Sequence, residues 1–241
     1  MKKKDSGRYQ EYMNEECLIC KAPLKYLQKD MLLECSICHN KENAKTVCEN
    51  GHYVCNECHS GSLNSIIALC LNCKSSNPIE IIQYLMLQPF CHMHGPEHHV
   101  MVGSALLTAY KNAGGDINLE DALIEMFNRG KKVPGGACGY WGACGAGISS
   151  GMFISIIVES TPLKVEEFSL AHQMTAKSLT MIAENGGPRC CKRDSYLSIL
   201  AAIDFVEENF DIKMTKQEII CKHANQNNQC IKTRCPFYPT G

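Results

Sequence analysis

Between residues 77 and 212 the apolar positions recur with the three-to-four residue period of helices, and strand-like alternation is scarce. Asn77-Pro78 closes the preceding segment and opens IEIIQYLML. Gly95-Pro96-Glu97 sets a proline in the first turn of a helix reaching about Tyr110. Asn118 is positioned to cap LEDALIEMFNRG, with Gly130 as its stop. The glycine-rich run VPGGACGYWGACGAG leads into the apolar helix ISSGMFISIIVES; then come VEEFSLAHQMTAKSLTMIAEN, ending at Gly186, and YLSILAAIDFVEEN, capped by Asp194 or Ser195. The pattern predicts a mainly α protein: an all-α domain of about six helices at 77–212, a small zinc-ribbon or RING-like metal module at 1–76, and a Cys-rich metal-binding tail at 213–241.

Composition narrows the chemistry. The stretch MKKKDSGRYQEYMNEE is charged and has no apolar core, and the longest apolar run, around Met152 to Val158, is too short to span a bilayer. The expectation is a cytoplasmic protein with no membrane partner. Reducing compartments disfavour disulfides, so 17 cysteines point to metal ligands or catalytic thiols. A net charge of -1 gives no global attraction for nucleic acid.

Nine of the cysteines lie between residues 17 and 73. Cys17-x2-Cys20 and Cys35-x2-Cys38 each offer a thiolate pair to tetrahedral Zn²⁺. Cys48-x3-His52-x2-Cys55-x2-Cys58 follows, then Cys70-x2-Cys73. The favoured reading joins Cys17, Cys20, Cys35 and Cys38 in one zinc ribbon and draws a second zinc site from the other six. Read from Cys35, the order resembles a RING finger with interleaved pairs, which leaves Cys17 and Cys20 spare. Neither spacing implies ubiquitin-ligase activity. A module of this kind suits docking to RNA or a partner enzyme.

Three further constellations lie beyond it. CHMHGPEHH holds His94, a candidate metal ligand, with His98 and His99 as ligands or acid-base groups at a helix start that favours neutral imidazole. GGACGYWGACGAG holds Cys138 and Cys144, the latter at a helix N-terminus that stabilises a thiolate. GGPRCCKRDS crowds Cys190 and Cys191 among Arg189, Lys192 and Arg193; the expected result is depressed thiol pKa values, or an anion held by Arg189 and Lys192. In the tail, Cys221-x8-Cys230-x4-Cys235-Pro236 supplies three ligands for zinc with His223, or for a [4Fe-4S] cluster whose fourth ligand is His223 or a cysteine of the middle domain, or whose fourth iron stays open for substrate.

MHGPEHH, VPGGACGYWGACGAGISSG, GPRCCKR and the C-x8-C-x4-CP tail together resemble a family of bacterial and archaeal proteins defined only as a domain of unknown function. A more distant pattern is similar to the helical redox proteins named for a Cys-GCAxxG-Cys-Cys motif, although GPEHHVMVGSALL stands where GCAxxG would fall. The leading expectation is thiol-based redox or sulfur-transfer chemistry at a Cys/His centre, acting on an anionic small molecule. A non-enzymatic zinc module and a metal or redox sensor are the alternatives.

Overall fold

The computed structural model describes residues 17, 19, 20, 22–59 and 63–239. The charged segment 1–16, on which the localisation expectation rests, lies outside them. Among the described residues no helix is long and apolar enough to cross a membrane.

The head is an antiparallel hairpin of β1 (Leu24–Glu34) and β2 (Lys41–Cys48), with Leu24 opposite Cys48, Glu34 opposite Lys41, and an irregularity in β1 between Tyr26 and Met31. A short helix, α1 (Asn56–His59), follows. The head's own core is small: Cys35, Tyr53 and Cys55, with Leu33, Ala44 and Val54 against them.

The body is helical: α2 (Leu63–Asn72), α3 (Pro78–Met86), α4 (His98–Asn112), α5 (Leu119–Gly130), α6 (Ala137–Tyr140), α7 (Gly145–Ile157), α8 (Glu166–Asn185) and α9 (Cys191–Phe210). Helix α4 is the axis. It is buried from His98 to Tyr110 and packs on α2, α3, α5, α7 and α9, which explains why its apolar pattern runs all round. Local signals set several ends. Asn77 accepts from the Ile79 and Glu80 N–H groups at 3.0 and 3.4 Å, and Asn118 from those of Glu120 and Asp121 at 3.1 and 3.3 Å. Helix α7 approaches α8 closely because Gly151 has no side chain; a Cβ there would lie 1.8 Å from Thr175 Oγ1.

Three boundaries differ from expectation. Helix α4 begins at His98, leaving Pro96 in the turn before it, and α5 runs through Gly130 to a C-cap at Lys131. Helix α9 begins at Cys191 with Cys190 as N-cap, so Asp194 lies inside its first turn and Lys192, Arg193 and Asp194 are buried there. The tail is largely irregular and folds back on the body: Met214, Ile219 and Phe237 join the core, and the Thr215 N–H donates to Ser76 O at 3.0 Å.

Candidate functional site

In the head, eight ligand atoms gather in two groups, each with all its atoms within 4.8 Å of one another: Cys17, Cys20, Cys48 and His52, then Cys35, Cys38, Cys55 and Cys58. Each is a donor set for one divalent ion. The Cys20 and Cys48 sulfurs are 3.4 Å apart, His52 Nδ1 is 3.3 Å from Cys20 Sγ, and the Cys38 and Cys55 sulfurs are 3.7 Å apart. The Ala22 N–H and the Asn50 amide hold the Cys20 thiol down at about 6, so a thiolate is ready at neutral pH.

This pairing corrects the ribbon that joined Cys17 and Cys20 to Cys35 and Cys38. An 11-residue strand separates those knuckles, and 11 extended residues span roughly 35 Å. The hairpin instead brings Cys48 beside the first knuckle, and a bridge from Cys35 to Tyr53 brings Cys55 and Cys58 beside the second. The groups interleave as in a RING, starting from Cys17 rather than Cys35. Cys70 and Cys73 join neither. They sit in and beside the core of the body, where burial pushes Cys70 up to about 12.

Between head and body lies a cavity of about 690 Å³. Its body wall carries Cys138, Cys144, Cys191, Asp194, Arg189, His94, His98 and His99, so residues far apart in sequence share one space; its head wall includes Tyr26, Glu42, Tyr53 and His52. Contacts fix the two walls together. Asn56 Nδ2 donates to Val133 O at 3.1 Å, Tyr140 O–H to Leu27 O at 3.1 Å, and Arg189 donates to the Tyr26 hydroxyl while lying over its ring.

The thiols of this wall are held in their protonated form. Burial raises Cys138 to about 11 and raises Cys144 and Cys191 as well. The expected depression by neighbouring cations is overturned: burial outweighs the pull of Arg189 on Cys191, and Cys190 rises to about 12 despite the Arg193 N–H. Cys144 is the N-cap of α7, and its S–H is directed at Asp194 Oδ2, 3.7 Å away. Asp194 is held in turn by Arg193, whose Nε donates to Oδ1 at 3.1 Å and whose terminal nitrogen donates to Gly186 O and Pro188 O at 2.8 and 2.9 Å. Thiol, carboxylate and guanidinium thus stand in series.

The histidines divide by role. His99 donates from Nδ1 to Val133 O at 3.1 Å, and its ring lies on the cavity wall with Nε2 packed against Gly145. A Cβ at position 145 would lie 2.1 Å from the ring, so Gly145→Ala is expected to displace His99 and cost about 1–3 kcal/mol of stability in chemical denaturation, an overpacking penalty. His94, expected as a metal ligand, is bonded through Nε2 to Asn227 Oδ1 at 3.2 Å and accepts the Cys191 N–H at 3.5 Å through Nδ1; burial lowers its pKa.

His98 donates from Nδ1 to Gly95 O at 3.0 Å and receives the Lys192 ammonium on Nε2 at 3.1 Å. Burial, then Lys192, lower its pKa to about 3, so the ring stays neutral. Lys192 therefore does not face an anion as expected. It is 1% exposed, its Nζ within 2.9 Å of Cys91 Sγ and 2.8 Å of His92 O. Cys91, Glu97 and His98 have ligand atoms within 4.8 Å of one another, and this ammonium takes the cation's place among them.

Cys190 faces away from the large cavity, toward Cys221, Cys230, Cys235 and His223 in a separate small space. The reading of the sequence missed Asp194 as a partner of Cys144, taking it only as a cap, and missed Tyr26 and Asn227, which no motif marked.

A family model matches residues 66–238. The chain belongs to DUF5714, a family of unknown function. No curated protein and no solved structure matches it. The matched span of this DUF5714 protein holds the thiol wall and the tail, while both four-ligand groups of the head precede it.

Proposed function

We infer that this DUF5714 protein is a zinc-headed metalloprotein performing sulfur-transfer or thiol redox chemistry on a small anionic substrate in the cavity, with an iron–sulfur cluster in its tail. One observation carries the reading: Cys138, Cys144 and Cys191 share that cavity with Asp194, His99 and Arg189. Arg189 supplies the positive charge an anion requires, and Cys144 with Asp194 supplies a nucleophile beside a base.

The elementary step is attack of Cys144 sulfur on the outer sulfur of a persulfide, RSS⁻. The Cys144–sulfur bond forms, the R–S to sulfur bond breaks, and the thiol proton passes through Asp194 to the leaving thiolate: Cys144-SH + RSS⁻ gives Cys144-SS⁻ + RSH. Mass-spectrometric mapping after anaerobic exposure to polysulfide should find the persulfide on Cys144. Asp194→Asn should slow its formation by about 10²–10⁴-fold, the usual worth of a positioned base. Modification confined to the exposed head thiols would sink the reading.

A further inference from the structure

Four thiols from two distant stretches enclose one small space at the N-terminus of α9. Cys190 comes from the body and Cys221, Cys230 and Cys235 from the tail, with about 20 Å³ open to atom centres between them. That leaves no room for an organic cofactor.

Two features mark these sulfurs as ligands. In the head groups, the backbone N–H two residues on donates to the thiol, Ile19 to Cys17 at 3.4 Å and Asn50 to Cys48 at 3.3 Å. The tail repeats the turn twice, His223 N–H to Cys221 Sγ at 3.4 Å and Lys232 N–H to Cys230 Sγ at 3.3 Å. Cys190 Sγ receives the Arg193 N–H and the Asn227 amide, both at 3.5 Å. Such donors stabilise negative charge on sulfur.

The second feature is spread. A tetrahedral zinc ion with bonds of about 2.3 Å needs sulfurs roughly 3.8 Å apart, as the head provides. Among the described residues, no three of Cys190, Cys221, Cys230, Cys235 and His223 have ligand atoms within 4.8 Å of one another. That arrangement does not suit a single tetrahedral ion, whereas a cluster sets several irons between its sulfurs.

We propose that Cys190, Cys221, Cys230 and Cys235 bind a four-iron cluster, and that the Cys190-Cys191 dipeptide connects it to the cavity. The proposal rests on the sulfur-transfer reading and names the fourth ligand and the electron route. Adjacent residues here face opposite ways, Cys190 into the cage and Cys191 into the cavity. Asn227 makes a second link, donating to Cys190 Sγ and accepting from His94, which lines the cavity. The reaction served is the resetting of Cys144: Cys144-SS⁻ + 2e⁻ + 2H⁺ gives Cys144-SH + HS⁻. The electrons come singly from a one-electron carrier protein through the cage, and the protons come from water.

The test uses the full chain, purified and reconstituted anaerobically, with iron and zinc counted and electron paramagnetic resonance recorded after dithionite reduction. Wild type should hold about four iron atoms per chain, and Cys190→Ser should fall below about one while its zinc and helix content stay unchanged. Cys191→Ser should keep the iron; if Cys190→Ser fails to fold, Cys230→Ser replaces it with the same expectation. Polysulfide should abolish the reduced-cluster signal in wild type and leave it in Cys144→Ser. No iron in wild type, a third zinc in its place, wild-type iron in the Cys190 variant, or a signal untouched by polysulfide would each overturn the proposal. A Cys144 persulfide without iron would leave the sulfur-transfer reading standing; iron without a persulfide would remove that reading and keep the cage.

Discussion

Stripping the metal from the head should unfold residues 17–59 while leaving the helical body intact. The head's buried core is Cys35, Tyr53 and Cys55, and two of those three belong to the Cys35, Cys38, Cys55 and Cys58 ligand group. So little apolar burial cannot offset the chain entropy of ordering such a segment. The ions must supply the difference, and structural zinc contributes about 10–16 kcal/mol in isolated finger peptides. Chelation, or Cys38→Ser, should therefore make the hairpin a proteolysis site and release bound metal, with far-UV helix signal retained. A head that stays protease-resistant after complete chelation would show that contacts to the body hold it. The Tyr26–Arg189 and Asn56–Val133 contacts are the ones that would then matter.

The second large effect lies inside the body. Replacing Lys192 by Met should cost about 3–5 kcal/mol, the usual result of removing one member of a buried charged network. The ammonium bonds Cys91, His92 O and His98, and a Met side chain would leave all three buried partners without that donor. Denaturant unfolding at neutral pH measures the loss. Because Cys91, Glu97 and His98 keep ligand atoms within 4.8 Å of one another, added zinc should restore part of the stability in Lys192→Met and none in wild type. A loss below about 1 kcal/mol would mean that the network does not depend on the ammonium.

What the sequence revealed, and what it hid, follows from the range of each interaction. Asn77 and Asn118 were readable as caps because a cap bonds to backbone two or three residues away. Cys144 was readable at a helix start for the same reason. The two head groups were visible as cysteine pairs but not as partners, since their assortment depends on which end of an 11-residue strand each knuckle occupies. The cations around Cys190 and Cys191 were misread. Local sequence shows charge but not depth, and Lys192 and Arg193 turned out to be 1% and 3% exposed. The meeting of the histidines, Cys138, Cys144 and Cys191 in one cavity, and of Cys190 with the tail, depends on helix packing that no single motif encodes.

The cavity is composite: one wall lies in the segment matched by the family model, and the other belongs to a hairpin that precedes it. The two walls thus come from different segments and meet through the Tyr26–Arg189, Leu27–Tyr140 and Asn56–Val133 contacts. A chain that kept residues 66–238 under a different N-terminal module would present Cys138, Cys144 and Cys191 through a different opening, whose shape and charge that module would set.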